Sequence, residues 1–163
     1  MAFRPLRDTP QGLLRVGKEI LRHIIRRPVV GIAVLLRDEA GNVVLIRRAD
    51  TGGLALPGGT LEWGETLRTS LAREIREETG VANATFQRVT GVYSDPSRDP
   101  RFHAVTVVVE CTYQSKAERL RAENPLEIVE VTSVPPAEVP KDLSMKMGDM
   151  FRDALAARAV VLE

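Results

Sequence analysis

Carboxylates and arginines crowd into one short stretch of the chain, GGTLEWGETLRTSLAREIREETGV, which covers residues 58–81. Three of its glutamates, Glu74, Glu77 and Glu78, fall within five residues. Carboxylates this close repel one another, so one or more should hold a proton near neutral pH unless a cation compensates the charge. Hard divalent cations such as Mg²⁺ prefer carboxylate oxygens and bound phosphates as ligands. The cluster is therefore a candidate divalent-cation site.

The same stretch predicts a helix, Glu65–Thr79. An apolar stripe begins at Leu67 and Leu71, and at 100° per residue its next positions are glutamates. These glutamates, Glu74 and Glu78, are four residues apart and can reach one ion together. The helix should therefore carry carboxylates on a surface that its apolar pattern would otherwise bury.

A solvated helix face held by Arg–Glu pairs is the alternative interpretation of this cluster. Arg73 lies four residues before Glu77 and can orient or partly neutralise a carboxylate. Glu65 lies at the helix start, where a negative charge is favourable, and it can pair with Arg73. Gly58 and Gly59 belong to a tight loop that leads into the helix. Such a loop lets backbone groups approach an ion or a phosphate closely, which favours the ion site.

Together these residues resemble the Nudix box, the signature of a family of hydrolases. The matching positions are Gly59, Glu65, Arg73, Glu74, Glu77, Glu78 and Gly80. The resemblance implies an α/β fold, specifically an αβα sandwich with a mixed β-sheet. It also implies hydrolysis of a nucleoside diphosphate linked to another moiety, with Mg²⁺ (or Mn²⁺) as the cofactor.

The resemblance also implies roles for the residues of the box. The expected metal ligands are Glu74, Glu77, Glu78 and the carbonyl of Gly59. Glu77 and Glu78 would thereby act in catalysis, and Arg73 and Glu65 would form an orienting pair.

A carboxylate outside the box usually supplies the general base in this family. The candidates in this chain are Glu118, Glu123 and Glu127. We favour Glu123 as the base, because the loop RAENP precedes a strand and can swing over the site. A solvated loop glutamate is the alternative interpretation of this residue.

A second informative stretch, GVYSDPSRDPRFHAV, follows the box and resembles the corresponding segment of small ADP-ribose pyrophosphatases. Arg98 and Arg101 can hold phosphate, because a guanidinium group matches phosphate oxygens through two hydrogen bonds. Asp95 or Asp99 can accept hydrogen bonds from sugar hydroxyls. Arg48, at the end of the run VVLIRR, is a further substrate-binding candidate. The alternative is a solvated loop whose Asp–Arg pairs hold its own shape.

Three functions are compatible with these residues. The first is a metal-dependent hydrolase of ADP-ribose or a nucleotide sugar. The second is a nucleoside triphosphate pyrophosphohydrolase that sanitises the nucleotide pool, and the third is a non-catalytic, nucleotide-binding regulatory module. The complete box favours an enzyme over the module, and the composition of the later loop favours the first function over the second.

The elements that must position these residues are predicted from β-branched runs, turn residues and helical periodicity. A closing amphipathic helix is expected at residues 144–160, and residues 115–125 should form a charged loop or a short helix. Hairpins mixed with helices predict a mixed sheet with helices packed on it. The expected strands are residues 29–38, 43–48, one or two within 84–94, 102–113 and 126–134.

Length and composition limit the classes of protein that fit. A chain of 163 residues with 44% hydrophobic and 28% charged residues is typical of one globular domain, and a net charge of +1 does not favour a nucleic-acid partner. The single cysteine, Cys111, excludes an intrachain disulfide and suits a reducing compartment. No apolar run is long enough to span a membrane. We therefore expect a cytoplasmic protein without nucleic-acid or membrane partners, and the resemblance implies that its partner is a small-molecule nucleotide.

The chain is expected to divide into an N-terminal arm, residues 1–28, and a Nudix hydrolase domain, residues 29–163. The arm is basic and predicts an amphipathic helix. A transit peptide and a membrane-surface helix are alternatives. We favour a helix that packs on the domain or on a second subunit, which makes a homodimer possible. Its apolar residues at helical spacing are Leu13, Val16, Ile20 and Ile24.

Overall fold

The computed structural model describes residues 17–18, 27–156 and 159–163. Two α-helices and eight strands lie in residues 29–156 and 159–163. Short 3₁₀ helices, Pro136–Glu138 and Ser144–Lys146, precede the second α-helix. The elements in chain order are β1 (Val29–Arg37), β2 (Val43–Arg48), β3 (Leu54–Ala55), β4 (Gly58–Thr60), α1 (Leu67–Thr79), β5 (Thr85–Tyr93), β6 (Ala104–Thr112), β7 (Ile128–Val134), α2 (Met147–Leu155) and β8 (Val161–Leu162).

The strands form a mixed sheet in the order β3-β2-β1-β6-β5-β8, with β4 also paired to β1 and β7 also paired to β2. β1 runs parallel to β6, and β5 runs parallel to β8. The remaining pairs in the described residues are antiparallel. The prediction of a mixed sheet is confirmed.

One helix covers each face of the sheet, as the alternating side-chain directions along β1 show. Its odd and even positions point to opposite faces, as in any strand. Ile32 and Val34 belong to the core cluster that contains α1 residues. Ala33 and Leu35 belong to the cluster that contains α2 residues. Because β1 is buried on both faces, it reads as a continuous apolar run, and the predicted αβα sandwich is confirmed.

Local side-chain chemistry sets the ends of α1. Thr66 is the N-cap, and its hydroxyl accepts from the Thr69 N–H while the Thr69 hydroxyl accepts from the Thr66 N–H, a reciprocal capping box. The N–H of Gly80 donates to the Arg76 carbonyl at 2.8 Å and ends the helix. The helix therefore begins two residues later than predicted, because Glu65 lies outside the capping box.

The closing helix was predicted too long at both ends. α2 begins only at Met147, because Met145 and Lys146 both take positive φ angles, 56° and 53°, and interrupt the helical backbone. Residues 156, 159 and 160 are not helical, and Val161 then pairs with Gly91 in a short parallel ladder. Residues 115–125 form a loop rather than a helix.

The predicted N-terminal arm, residues 1–28, lies almost entirely outside the described residues, so its helix and its packing remain predictions. No helix in residues 17–18, 27–156 or 159–163 is long and apolar enough to cross a membrane.

Candidate active site

The short strand β4 places two glycines against the buried side of α1. The N–H of Gly58 donates to the Glu78 carboxylate at 2.6 Å. Gly58 has a φ of 150°, and a Cβ atom there would lie 2.1 Å from the Ile32 carbonyl oxygen on β1. Only glycine allows this close approach without displacing β1. The backbone at this position therefore fixes one carboxylate of the helix.

Gly59 lies against the second buried carboxylate, that of Glu74. A Cβ atom on Gly59 would lie 2.2 Å from Oε1 of Glu74, so the absence of a side chain leaves room for this carboxylate. Glu74 and Glu78 are 8% and 7% exposed, whereas the Glu77 side chain is 39% exposed. The helix thus presents two carboxylates to the interior and one at its edge, as its sequence pattern predicts.

Arg73 connects the carboxylates of the box. Its guanidinium donates to Glu65 through two nitrogens at 2.9 and 3.0 Å. Another nitrogen donates to Glu74 at 2.9 Å and to Glu77 at 3.3 Å. The Arg73–Glu65 pair expected from the sequence is present, and it places one positive charge among three carboxylates.

Burial and the contacts with Arg73 shift the pKa values of these carboxylates in different directions. Burial raises the pKa of Glu78 to about 8, opposed by the Gly58 N–H bond and increased further by the nearby charge of Glu74. Burial also raises the pKa of Glu74, although Arg73 counteracts it. The hydrogen bonds from Arg73 lower the pKa of the half-buried Glu65 to about 2.

The donor chemistry of this cluster fits a hard divalent cation. Glu74, Glu77 and Glu78 supply only oxygen atoms, and two of them are buried where an unpaired negative charge is unfavourable. In the part of the chain that the structure describes, no three His, Cys, Asp or Glu side chains already converge on a single ion position. Arg73 and the Gly58 N–H hold the carboxylates instead, so binding an ion requires these contacts to be shared or exchanged.

A small pocket adjoins the glycines of β4. Its polar lining includes Arg48, Asp99 and Arg101, and its apolar side includes Phe102 and Met145. Both arginines, predicted as substrate-binding residues, therefore lie beside the box.

The two pocket arginines are held by aspartates. Arg48 donates to both oxygens of Asp50, at 3.0 and 2.9 Å. Arg101 donates to both oxygens of Asp99, at 3.0 and 2.8 Å, and its third nitrogen lies 3.5 Å from Asp50. These contacts lower the pKa of Asp50 to about 2, chiefly through Arg48. Four alternating charges therefore follow one another along this edge of the pocket.

Arg98, the third predicted substrate-binding residue, does not line this pocket. Its guanidinium contacts the Glu163 carboxylate and donates to the Lys146 carbonyl at 3.0 Å. It also lies 4.9 Å from the centre of the Tyr93 ring, and the arginine side chain is 13% exposed. Residue spacing does not predict this contact, because Arg98 and Glu163 are 65 positions apart.

The three candidate bases have different surroundings. Glu123 pairs with Arg76 at 3.5 Å, on the exposed side of α1, rather than covering the buried carboxylates. Glu118 accepts from Asn83 and from the Ala82 N–H, so it holds the turn after the helix. Glu127 lies near enough to Glu78 for its charge to contribute to the raised pKa of Glu78.

Two residues of the site were missed by sequence reasoning. Gly58 was predicted only as part of the tight loop that leads into the helix and not as a partner of a particular carboxylate, yet its N–H binds Glu78. Asp50 was not considered, although its position two residues after Arg48 is a local signal for an ion pair beyond a strand end.

A carboxylate-bearing helix packed on a mixed sheet, with glycines of a neighbouring strand beneath it, defines a class of domain. The model of that class, the NUDIX domain, matches residues 26–154. The chain therefore belongs to the NUDIX family.

Comparison with individual proteins agrees with this assignment. A MutT-like protein of Streptomyces ambofaciens is 35% identical over 126 residues, covering 77% of this chain and 76% of that protein. An ADP-ribose pyrophosphatase of Methanocaldococcus jannaschii is 39% identical over 84 residues, covering 50% of this chain, and the match spans 48% of the archaeal protein's length. The NUDIX domain of Shewanella oneidensis NrtR, solved with ADP ribose, has the same fold, with a TM-score of 0.70, 19% identity, and coverage of 85% of this chain and 96% of that one.

Proposed function

We propose that this chain is a metal-dependent hydrolase that cleaves the pyrophosphate bond of a nucleoside diphosphate linked to another moiety. The preferred substrate is ADP-ribose or a nucleotide sugar. The observation that carries the proposal is the adjacency of two features. The box carboxylates lie over Gly58 and Gly59, and the same two glycines line the pocket that contains Arg48, Asp99 and Arg101.

The carboxylates of the box supply the metal site in this proposal. Glu74, Glu77, Glu78 and the carbonyl of Gly59 would hold Mg²⁺ or Mn²⁺, which supplies charge neutralisation of the pyrophosphate and a lowered pKa of bound water. Glu78 must lose the proton that its burial favours before it can act as a ligand. Arg73 keeps the neighbouring carboxylates apart and oriented through its bonds to Glu65 and Glu74.

The pocket supplies the substrate site. The guanidinium groups of Arg48 and Arg101 match phosphate oxygens. The carboxylates of Asp50 and Asp99, beside them, can accept hydrogen bonds from ribose hydroxyls. A substrate with a second sugar offers partners to both kinds of group, whereas the outer phosphate of a nucleoside triphosphate would meet the aspartates with like charge. This arrangement favours ADP-ribose or a nucleotide sugar.

The proposal assigns the general base to a carboxylate of the loop before β7. Glu123 remains the sequence-based candidate, but its side chain pairs with Arg76. Glu127 is the better-placed candidate, because its charge acts on Glu78 across the site. In either case the role is to accept a proton from the attacking water.

A second candidate function is pyrophosphohydrolysis of nucleoside triphosphates. It is favoured by the MutT-like relative, which aligns with 77% of this chain. A non-catalytic module is the third candidate.

The proposal includes a cytoplasmic location, and the state of the single cysteine supports it. Cys111 is buried and free, and a chain with one cysteine has no intrachain disulfide to lose in a reducing compartment. The partner is a small-molecule nucleotide rather than a nucleic acid, and a homodimer formed through the N-terminal arm is part of the same proposal.

The test is a nucleotide panel assayed with and without Mg²⁺ or Mn²⁺. ADP-ribose, nucleotide sugars and nucleoside triphosphates are each incubated with the protein, and release of phosphate, pyrophosphate and nucleoside monophosphate is followed. We expect metal-dependent release of AMP from ADP-ribose. The variants Glu77→Gln and Glu78→Gln should reduce this release by about a hundredfold or more, because each removes a ligand charge without changing side-chain size.

Three outcomes would contradict parts of the proposal. Preferential release of pyrophosphate from triphosphates would establish the second function. No turnover of any nucleotide would establish the non-catalytic module. Glu123→Gln and Glu127→Gln, assayed in the same panel, separate the candidate bases. A large loss in the first variant and none in the second would return the role to Glu123.

A further inference from the structure

The loop that lines the pocket is anchored to the last residue of the chain as given. Residues 94–101, here called the pocket loop, begin with two backbone N–H groups, those of Ser94 and Asp95. Both donate to one oxygen of the Glu163 carboxylate, at 3.0 and 2.9 Å. Arg98 donates to the same carboxylate from Nε, at 3.0 and 3.1 Å from its two oxygens, and from a second nitrogen at 2.5 Å. Two amides and a guanidinium therefore converge on one carboxylate.

These contacts matter because the segment that carries Glu163 is a very short strand. β8 has only two residues, and it pairs with β5 through Val161 and Leu162. Leu162 is 82% exposed, so the apolar burial that docks this strand comes from Val161, which packs half-buried against the core on the α2 side of the sheet. The Glu163 N–H extends the ladder by donating to the Val92 carbonyl at 3.0 Å. The carboxylate is thus a principal tie between β8 and the pocket loop.

The other half of the pocket loop reaches the pocket itself. Asp99 and Arg101 line it, and Arg101 approaches Asp50 across the opening. Between the two halves, Arg98 donates to the Lys146 carbonyl, and the Lys146 ammonium donates to the Ser97 hydroxyl at 2.9 Å. The loop is consequently fixed at one end by Glu163, in its middle by Lys146, and at its far end by Asp50, which pairs with Arg101.

We propose that Glu163 is a positioning residue that sets the affinity of the pocket for its nucleotide by fixing the pocket loop. Arg98 acts in this role as the partner of Glu163 and does not contact the substrate. Glu163 lies outside the box and outside the family-matched residues 26–154, and touches none of the box carboxylates in the described residues. It therefore affects binding rather than the chemical step. The effect on substrate affinity rests on the hydrolase function proposed above, whereas the effect on the loop does not.

The test compares Glu163→Gln with a matched control, Glu138→Gln, which changes an exposed glutamate of the first 3₁₀ helix. With ADP-ribose and saturating Mg²⁺, we expect Glu163→Gln to raise KM about three- to tenfold and leave kcat within about twofold. Hydrogen exchange of the Ser94 and Asp95 amides in the nucleotide-free protein should accelerate by about tenfold or more. The control should change neither quantity.

A double-mutant cycle separates this role from direct substrate contact. If Arg98 acts through Glu163, then Arg98→Ala should raise KM in the wild-type background and have little further effect in the Glu163→Gln background. An equal effect in both backgrounds would overturn the proposal and assign Arg98 to the substrate.

Other outcomes are equally decisive. Unchanged amide exchange in Glu163→Gln would overturn the positioning role whatever the kinetics show. Faster exchange with an unchanged KM would overturn the link to affinity. If the wild-type protein turns over no nucleotide, the proposed hydrolase function fails. Faster exchange confined to the pocket loop would still support its anchoring by Glu163.

Discussion

At the scale of single residues, Glu78 is a carboxyl group that the fold buries where its ionised form is unfavourable. It faces the sheet from α1, it is 7% exposed, and among the described residues its one hydrogen-bond donor is the N–H of Gly58. One neutral donor does not replace the water that an ionised carboxylate loses on burial. This imbalance predicts a pH dependence of stability in the ion-free protein.

The free energy of unfolding of the ion-free protein should fall as pH rises from about 4.5 to about 8. Burial raises the folded-state pKa of Glu78 from 4.5 to about 8, so over this window the folded protein holds a proton that the unfolded chain has released. The stabilisation is complete below the unfolded pKa and is lost by about pH 8. The decrease between about pH 5.5 and 8 should amount to about 1–3 kcal/mol.

Thermal or urea unfolding in the presence of a chelator measures this effect. Glu78→Gln cannot ionise and should give a flatter profile over the same range, with Glu62→Gln, an exposed glutamate, as the control. Parallel profiles for the wild type and Glu78→Gln would show that the buried carboxylate is not the titrating group.

The sequence predicted the residues of the box better than the residues around it. Glu74, Glu77 and Glu78 lie on one helix, so their spacing alone determines that they are neighbours. Arg101 has a local partner in Asp99, but its contact with Asp50 and the contact of Arg98 with Glu163 are set by long-range packing, which spacing does not encode. Asp50 reaches Arg101 across 51 positions, and Glu163 reaches Arg98 across 65.

At the scale of elements, β4 combines two glycines with different roles. Gly58 has a positive φ angle and lies close to the Ile32 carbonyl, so a side chain at this position would disturb both. Gly59 meets only the end of the flexible Glu74 side chain. Alanine should therefore have a different consequence at each position.

Gly58→Ala should destabilise the fold by about 2–4 kcal/mol, because its Cβ would press on the backbone of β1 at a positive φ. Gly59→Ala should leave stability within about 1 kcal/mol and reduce turnover and Mg²⁺ affinity about tenfold or more, because Glu74 must move. Thermal unfolding and metal titration distinguish the two results. Gly64→Ala is the control, since a Cβ there meets open space although its φ is also positive.

A reversed result, with Gly59→Ala unfolded and Gly58→Ala active, would contradict the assignment of backbone contact to one glycine and carboxylate contact to the other.

Elements with strong local signals were predicted closely. β2 was predicted at its observed bounds, and β1 to within one residue, because buried β-branched runs and flanking turns mark them. The second α-helix and β8 were predicted poorly. The positive φ angles of Met145 and Lys146 and the pairing of Val161 with Gly91 depend on tertiary contacts, which amphipathic periodicity does not report.

At the scale of the whole molecule, the domain and the predicted arm should be separable in function. The site described here is built from residues between Arg48 and Glu127, with the pocket loop anchored by Glu163. The arm carries an apolar stripe but none of these groups.

Removal of residues 1–26 should therefore change oligomeric state or melting temperature while leaving kcat within about twofold. Size-exclusion chromatography with light scattering, thermal unfolding and the nucleotide assay measure the three quantities. A truncated protein with unchanged mass and melting but lost turnover would place the arm in the active site.

The parallel pairing of β1 with β6 also has a consequence for how the site comes into existence. Each residue of β1 pairs with one 75 positions later, as Val29 does with Ala104 (104 − 29 = 75). The box lies inside this interval, so a chain emerging from the ribosome presents every box glutamate before β6 has been synthesised. Closing a loop of this length is a slow, entropically unfavourable step compared with forming a local helix. Completion of β6 should therefore be the event that converts the nascent acidic segment into a binding site.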